Sequence, residues 1–270
     1  MPASKQLAEN IYREYMSFFE KSERTRRWNV FTDIPWEKAE TCPRDADLAL
    51  CAETFCGVEM YLPDYVSQGI NVVRDTFGQA WFQANWAYEE SKHSLVLREY
   101  LSRTGQRTMD QLIDFEQKIL DKRWVKPFNT CRQMTLYGAL QEMTTFVIYD
   151  KQKRLAAERG DELLATIYSF IEKDEIAHAR FYEKVAMCCL EEDPAGTKAD
   201  LAHVFRHFTM PAYELVPDYE ERIKVMRTAG IDRNVFIREV WFTMLKRLRL
   251  TRHDLPPPPR PSTTTIPPAA

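Results

Sequence analysis

Apolar residues recur every three or four positions along most of this chain, which is the period of an amphipathic α-helix. A break is expected where Lys126-Pro127 interrupts one long stretch, and DPAGT at 193–197 predicts a turn. The stretch WNVFTDIPWEK, between the first two helices, is expected to be an extended connector. No alternating strand pattern competes, so the predicted fold class is all-α. The predicted helices cover 4–27, 46–75, 77–103, 108–157, 160–192, 198–209, 217–229 and 232–249.

The placement of glycine and proline supports long helices. The chain has only 8 glycines among 270 residues, less than half the usual share of about 7%. Of its 15 prolines, seven lie in 256–270, and only two fall between Pro43 and Pro194. We therefore expect a single domain over 1–255, followed by a disordered proline-rich tail at 256–270.

Charge and cysteine content exclude several classes of protein. The 37 basic and 40 acidic side chains leave a net charge of −3, which gives no support for a general nucleic-acid-binding function. The sequence contains no run of 18 uncharged apolar residues, so no membrane span is expected. The six cysteines form no CxxC pair, and the N-terminus, MPASKQLAEN, lacks the apolar core of a signal peptide. We therefore expect a cytoplasmic protein.

Two predicted helices carry a Glu-x-x-His motif where their apolar stripes are interrupted. In the third helix Glu90 and His93 occupy steps of the stripe, and in the fifth helix Glu175 and His178 do the same. A spacing of three residues places both side chains on one helical face, where they can hold the same metal ion. The repetition of the motif in two helices makes a metal site the favoured interpretation.

Two further predicted helices offer single carboxylates. Glu142 is the only charged residue in MTLYGALQEMTTFVIY, residues 134–149, so rotation of the helix hardly removes it from apolar neighbours. A lone buried carboxylate normally finds a proton, a cation or a metal. In the second helix Glu53 and Glu59 are both candidates. The separations of 31 residues from Glu59 to the first Glu-x-x-His and 33 residues from Glu142 to the second favour Glu59.

One Glu from each of two helices and a Glu-x-x-His from each of two others form the inward-facing ligand set of di-iron and di-manganese carboxylate bundles. Carboxylates can bridge two metal ions, and one imidazole per ion supplies a neutral ligand. Glu89 and Asp174, which precede the motifs, are the alternative buried acids. If these two were buried instead, the Glu-x-x-His pattern would be reduced to solvated charge. His203, His207 and His253 are not expected to bind metal. The candidate metal ligands are Glu59, Glu90, His93, Glu142, Glu175 and His178.

Five stretches of the sequence resemble the soluble type 2 acyl-acyl-carrier-protein desaturases, whose bacterial members are nearer to this chain in length than the plant enzymes. The stretches are VEMYLPDY, WAYEESKHSLVLREYLSRTG, ALQEMTTF, EKDEIAHARFYEKV and TMPAYELV, in this order between Trp28 and Leu250. The resemblance implies a ferritin-like helical bundle with four ligand-bearing helices plus additional helices. It carries the ligand roles onto the same six residues and implies two iron ions, Fe²⁺, per chain.

The resemblance also implies a reaction and its partners. The reaction is O2-dependent insertion of a double bond into a saturated fatty acyl chain on acyl carrier protein, by a homodimer that takes electrons from a ferredoxin-type donor. Trp28 is similar to the tryptophan of the family's electron path, and Asp174 to an aspartate that orients an imidazole. Thr145 is similar to a threonine near the oxygen-binding side, and its alternative is a hydroxyl bonded to the backbone. The interval between Glu59 and the first Glu-x-x-His motif is shorter than in the plant proteins. The resemblance therefore does not determine the shape of the substrate channel.

Other functions remain open at this point. Another di-iron oxygenase or oxidase, such as an N-oxygenase, would use the same bundle, as would a non-enzymatic ferritin-like metal binder or a desaturase homologue without activity. Iron and manganese are not distinguished by this ligand set. The candidates for docking an acidic carrier protein are Lys21, Arg24, Arg26 and Arg27, or Lys246, Arg247 and Arg249. The candidates for an apolar substrate tunnel, each also interpretable as ordinary core, are Met60, Phe82, Met143, Phe146 and Phe181.

Overall fold

The computed structural model describes residues 4–211 and 215–257, and helices are the only regular elements within these ranges. The all-α prediction is therefore confirmed. Most of the predicted tail, 258–270, lies outside the described residues, so its disorder stays a prediction. The main helices are α1 (Lys5–Lys21), α2 (Ala46–Glu59), α3 (Leu62–Val73), α4 (Phe77–Arg103), α5 (Met109–Leu120), α6 (Cys131–Glu158), α7 (Glu162–Glu192) and α8 (Pro194–Arg206). Further helical segments lie at Tyr219–Met226, Arg233–Val235, Phe236–Trp241, which is a π-helix, and Phe242–Arg247.

Prolines interrupt two of the predicted helical segments. The second predicted helix is divided at residues 60–61, because Pro63 lies in the first turn of α3 and starts a new helix there. The fourth predicted segment is divided into α5 and α6 by residues 121–130, which contain the expected break at Lys126-Pro127. The first break matters for the site because it makes Glu59 the last residue of α2.

Two expectations about connecting segments are wrong. The turn predicted at 193–197 is the start of α8, because the Asp193 carboxylate accepts a hydrogen bond from the Gly196 N–H at 2.9 Å and proline follows in the first helical turn. The connector expected to be extended contains turns and a 3₁₀-helix, Trp36–Thr41. Both regions contain proline, which indicates a turn or connector but is also favoured in the first turn of a helix.

Of the four helices α2, α4, α6 and α7, three begin with a side-chain cap. Asp45, Thr130 and Asp161 accept hydrogen bonds from backbone N–H groups in the first turns of α2, α6 and α7, respectively. Asp161 also accepts a hydrogen bond from the hydroxyl of Tyr100 on α4, at 2.5 Å. These polar contacts satisfy otherwise unpaired N–H groups and set where each helix begins.

The helices α2, α4, α6 and α7 pack around a layer of acidic and histidine side chains. α6 packs along α7, α2 against α4, and α1 against both α4 and α7. One apolar cluster includes Phe82 of α4 and Phe181 of α7, and a second cluster includes Leu97 of α4 and Ile167 of α7. The polar residues of α4 and α7 lie between these two clusters along the chain, so the polar layer occupies the middle of the bundle. Across the described part of the chain, every helix is too short or too polar to cross a membrane.

Candidate metal centre

The six side chains predicted as metal ligands lie together in the polar layer of the bundle. They come from the end of α2, the middle of α4 and α7, and the middle of α6, and their relative exposures range from 0% to 7%. They form two overlapping groups, in each of which one ligand-type atom per residue lies within 4.8 Å of the others. The groups are Glu59, Glu90, His93 and Glu175, and Glu90, Glu142, Glu175 and His178.

The two groups share Glu90 and Glu175, so each half of the cluster has one imidazole, one carboxylate of its own and two shared carboxylates. The Nδ1 atom of His93 lies 3.3 Å from Oε2 of Glu90 and 3.4 Å from Oε1 of Glu175. The Nδ1 atom of His178 lies 2.9 Å from Oε1 of Glu90 and 3.5 Å from Oε2 of Glu142. Such an arrangement would offer two adjacent cation positions that share these two carboxylates.

Four atoms of the cluster are buried and form no hydrogen bond of acceptable geometry with a described residue, although Nδ1 of His178 lies 2.9 Å from Oε1 of Glu90. They are Oε1 of Glu90, Oε1 of Glu175, and Nδ1 of His93 and of His178. Buried polar atoms are nearly always paired, and a cluster of four carboxylates is unfavourable in the interior without compensating positive charge. Carboxylate oxygens and imidazole nitrogens are suitable ligands for iron and manganese. The donor set therefore fits a centre of two divalent metal ions.

Each imidazole also contacts an outer carboxylate, on the side of the ring that faces away from the cluster. Nε2 of His93 lies 3.4 Å from Oδ2 of Asp174, and Nε2 of His178 lies 2.7 Å from Oε2 of Glu89. Each acid directly precedes the glutamate of one motif and contacts the histidine of the other. These contacts leave Nδ1 of each ring facing the cluster, which is how outer hydrogen bonds orient metal-binding histidines. Asp174 thus contacts an imidazole, and its role as the acid that orients this ring stays a prediction.

Glu89 is the site residue that sequence reasoning missed. The sequence offers Glu89 only as an alternative to Glu90, yet both acids are buried, at 1% and 5% exposure. The signal was present as an acidic pair in each motif, Glu89-Glu90 and Asp174-Glu175, each followed by histidine three positions after the second acid. Adjacent residues on a helix point about 100° apart, so one acid can face the cluster while the other reaches around to the opposite imidazole.

Basic and aromatic side chains from the segment that follows α1 cover the outer carboxylates. Arg26 donates to Glu89 and to Asp174, and Arg27 donates to Glu89 at 2.7 Å. The indole Nε1 of Trp28 donates to Oδ2 of Asp174 at 2.7 Å. The sequence suggested Arg26 and Arg27 as charges for docking a carrier protein. In the structure both are paired with buried acids and are not free for that role. Trp28 contacts the acid that holds His93, which is compatible with the path that the resemblance implies.

The other carboxylates of the cluster also receive hydrogen bonds. The hydroxyl of Tyr149 donates to Oε1 of Glu59 at 2.9 Å, and the indole Nε1 of Trp86 donates to Oε1 of Glu142 at 3.1 Å. Oγ1 of Thr145 lies 2.8 Å from Oε2 of Glu175, and 3.0 Å from the backbone oxygen of Glu142. Thr145 therefore has both the environment near the cluster and the backbone contact that the sequence left as alternatives.

The pKa values in the cluster show how strongly its charges interact. Burial, reinforced by the charge of Glu90, raises the pKa of Glu59 and of Glu142 well above the usual value. Burial opposes ionisation of Glu90 as well, but the two histidines outweigh it and hold that pKa at about 2. Burial alone would lower the pKa of His93 and His178, but the surrounding carboxylates raise both well above 6.5. Without metal, the cluster retains protons that bound cations would replace.

Two cavities approach the cluster. A groove of about 550 Å³ lies between α1 and α7, and Phe181 and Trp28 are among its lining residues. A cavity of about 40 Å³ lies beside Glu142 and is lined in part by Gly138 and Tyr182. Of the other candidates for an apolar tunnel, Phe82 stacks on Phe181 and Met143 is buried core, while Met60 and Phe146 are half-buried against the core.

Comparison with known proteins connects the sequence to curated desaturases. The fatty acid desaturase family matches residues 20–250. The chain is 31% identical over 186 residues to a chloroplastic stearoyl-acyl-carrier-protein 9-desaturase of Linum usitatissimum, covering 65% of this chain and 46% of the relative. It is 30% identical over 172 residues to palmitoyl-acyl-carrier-protein 4-desaturase 2 of Ophrys sphegodes, covering 61% of this chain and 46% of the relative. The matched region spans about half the length of these relatives.

Solved structures share the fold over nearly the whole chain. DesA2 of Mycobacterium tuberculosis, a candidate acyl-ACP desaturase, superposes with a TM-score of 0.65, covering 93% of this chain and 100% of that chain at 16% identity. An R2-like ligand-binding oxidase with a Mn/Fe cofactor superposes with a TM-score of 0.61, covering 90% and 93% of the two chains at 15% identity. At these identities the superpositions show the fold alone, which is the ferritin-like bundle predicted from the sequence. Because the family match extends over most of the sequence, the chain belongs to the fatty acid desaturase family.

Proposed function

We propose that this protein is a di-iron, O2-dependent desaturase that introduces a double bond into a saturated fatty acyl chain carried on acyl carrier protein. The observation that carries the proposal is the pair of buried groups that share Glu90 and Glu175 and contain one imidazole each. The family match and the names of the curated relatives support a fatty acyl substrate on a carrier protein.

The proposed ligand assignment follows the two groups. Glu59 and His93 would hold one iron, Glu142 and His178 the other, and Glu90 and Glu175 would bridge the two. Four carboxylates balance the charge of two Fe²⁺ ions, so the loaded site is near neutrality and its burial becomes favourable. When bound, the irons would supply the O2 chemistry that removes one hydrogen from each of two adjacent methylenes, with two external electrons and two protons completing reduction of O2 to water.

The protein's own side chains would orient the ligands and hold protons near them. Trp86 and Tyr149 fix one oxygen of each unshared carboxylate by donating to it. The hydroxyl of Thr145 places a donor 2.8 Å from the shared carboxylate of Glu175. The reaction at an unactivated methylene requires no basic side chain, so these groups serve positioning rather than proton abstraction from the substrate.

Electrons would reach the site through the contacts of Trp28. Its indole lines the groove between α1 and α7 and donates to Asp174, which in turn contacts His93. This chain of contacts connects the protein surface to one of the proposed ligands within three side chains. We propose a ferredoxin-type protein as the donor that uses it.

An acidic acyl carrier protein would dock at the groove between α1 and α7. Lys21, Lys173 and Arg180 line this groove, are exposed and form no ion pair with any described residue, whereas Arg26 and Arg27 are committed to buried acids. Unpaired surface cations are the charges that remain available to steer an acidic partner. Charge-reversed variants of these three residues should raise the KM for the acyl carrier substrate more than they lower kcat.

A homodimer is the proposed assembly. Trp81, Tyr88 and Leu95 lie seven residues apart on α4, and each is 54–57% exposed. Apolar residues at this spacing form a stripe along one helix face, which a second copy can cover. Light scattering should give about twice the chain mass of 31.8 kDa, and Trp81→Glu should give a monomer. A cage-sized particle would instead favour a ferritin-like metal binder.

Metal content and product analysis test the central proposal. Protein loaded anaerobically with Fe²⁺ should contain two irons per chain, and Glu142→Ala and His178→Ala should each reduce this number. His203→Ala, which changes an exposed histidine, is the matched control and should retain both irons. Wild-type protein that binds fewer than two irons after careful loading would refute the di-iron site.

Loaded wild-type protein should desaturate acyl carrier protein substrates with a ferredoxin and its reductase. Conversion of arylamines without any conversion of acyl thioesters would favour an N-oxygenase on the same bundle. Because one structural neighbour contains a Mn/Fe cofactor, parallel loading with manganese and iron together belongs in the same experiment. Turnover only after mixed loading would replace the di-iron assignment.

A further inference from the structure

Arg26 is held inside the protein by an irregular helix end. After α1, one turn of π-helix, Ser22–Arg26, carries the chain toward the central helices. Ser22 is fully buried and accepts a hydrogen bond from the guanidinium of Arg26, whose side chain is only 10% exposed and lies over the Phe18 ring. π-helical turns are rare and occur frequently at functional sites. The position of this arginine is therefore specified by its surroundings rather than left to solvent.

The guanidinium of Arg26 contacts both carboxylates that hold the imidazoles. Its Nη2 atom lies 2.8 Å from each carboxylate oxygen of Glu89, and its Nη1 atom donates to Oδ1 of Asp174. Glu89 contacts His178, and Asp174 contacts His93. A planar guanidinium presents several donors in fixed directions, so one side chain can serve two carboxylates at once. Arg26 thus joins the outer contacts of the two halves of the cluster.

The neighbouring cations each serve one half. Arg27 donates to Glu89 and also to Asn85, and the structure gives it no contact with Asp174. The ammonium of Lys92 lies 3.9 Å from Asp174, which makes a weaker contact on the other side. Among the residues that the structure describes, Arg26 is the one cation with hydrogen bonds to both outer acids.

We propose that Arg26 is a positioning residue that couples the two halves of the metal centre. By holding Glu89 and Asp174 in one arrangement, it fixes the ring orientation of His178 and His93 together. Loss of the guanidinium should therefore loosen both imidazoles, whereas loss of Arg27 should loosen one. The inference depends on the proposed two-metal site for its metal readout, but its effect on the two rings can be measured in metal-free protein.

Histidine NMR on the full-length, metal-free protein tests the coupling directly. Only two of the five histidines are buried, so the protected imidazole N–H signals belong to His93 and His178. Arg26→Gln should shift both signals and speed their exchange with solvent, Arg27→Gln should affect that of His178 alone, and Arg24→Gln should affect neither. Arg24 is a suitable control because its side chain is 75% exposed and pairs only with Glu20. If Arg26→Gln leaves either signal unchanged, the proposal is wrong.

Metal titration gives the second readout. Co²⁺ competition with a chelator should show that Arg26→Gln weakens both bound equivalents by about 10- to 100-fold, the usual effect of removing an outer hydrogen-bonding partner. Arg27→Gln should weaken one equivalent, and Arg24→Gln should match the wild type. Loss of only one equivalent in Arg26→Gln would also overturn the coupling.

A third variant protects the test against misfolding and separates the two proposals. Arg26→Lys keeps the charge but lacks the fork, so it should restore at most one of the two imidazole signals. Full recovery of both signals by lysine would show that charge alone suffices and would refute the role of the fork. Wild-type protein that binds no pair of Co²⁺ ions would refute the di-metal function. The NMR result would still test the positioning role of Arg26.

Discussion

Two buried tyrosines on neighbouring helices allow one contact of the metal centre to be isolated. Tyr149 on α6 and Tyr168 on α7 are 1% and 0% exposed, and their ring centroids lie 5.6 Å apart. The hydroxyl of Tyr149 donates to Oε1 of Glu59, while that of Tyr168 has no hydrogen-bond partner among the described residues. Replacing either residue by phenylalanine removes one buried oxygen. The difference between Tyr149→Phe and Tyr168→Phe therefore reports the contact with Glu59.

The expected magnitude depends on whether metal is bound. In metal-free protein, burial raises the pKa of Glu59 and so disfavours its ionised form, and a hydrogen bond to the neutral carboxyl contributes about 1 kcal/mol. With metal, Glu59 is ionised and the same bond contributes about 1.5–3 kcal/mol. A difference of about 1.4 kcal/mol between the two states corresponds to about tenfold weaker metal binding in Tyr149→Phe. Tyr168→Phe should be neutral or slightly stabilising, because it removes an unpaired hydroxyl.

Urea unfolding of the metal-free variants at pH 7 and chelator competition with Fe²⁺ under anaerobic conditions measure the two quantities. Tyr149→Phe should lower the free energy of unfolding by about 1 kcal/mol and weaken metal binding about tenfold. Equal effects of the two substitutions on both quantities would refute the reasoning. Tighter metal binding in Tyr149→Phe would show that the phenol does not stabilise the ionised carboxylate of Glu59.

Three further predictions concern titration, packing and the shared carboxylate. Burial raises the pKa values of the unshared glutamates above 4.5, and carboxylates that outweigh burial raise those of both histidines above 6.5. The contribution of these groups to the stability of the folded state is therefore complete below those values and is lost as pH rises. The free energy of unfolding of metal-free protein, measured in urea, should thus fall as the pH rises above these ordinary values, and a rise would contradict these shifts. In Gly138→Ala, the new Cβ would lie 2.8 Å from the Tyr182 ring. The free energy of unfolding should therefore fall by about 1–3 kcal/mol, and turnover should fall at unchanged iron content. Thr145→Val should keep both irons but lower turnover about tenfold or more, and Thr145→Ser should restore it, because the donor to Glu175 is worth about 1.5–3 kcal/mol.

Local helical periodicity was sufficient to predict the all-α fold and five of the six cluster residues, whereas the sixth, Glu59, was favoured over Glu53 by its separation from the first Glu-x-x-His motif. A helix places residues three and four positions apart on one face, so a glutamate or histidine within an apolar stripe must lie in the interior. The position of Glu142 in an uncharged stretch and the two Glu-x-x-His motifs followed from this rule alone. The predicted break at Lys126-Pro127 likewise followed from the missing N–H and fixed geometry of proline.

Periodicity could not assign the layer behind the cluster. Glu89 and Asp174 each precede the glutamate of one motif, but each contacts the histidine of the other, which requires the packing of α4 against α7. The π-helical turn after α1 supplies Arg26, which lies 148 positions before Asp174 in the chain. From the sequence, Arg26 and Arg27 belong to a charged run that looks solvated, and a docking role was the natural expectation.

The distinction has a physical reason. Whether a side chain faces the core is decided by its place in its own helix, but which buried acid a given cation neutralises is decided by helices packed against one another in three dimensions. The sequence therefore determined the inner residues of the cluster, and the packing of α1 on α4 and α7 determined that two arginines turn inward to balance the acids behind them.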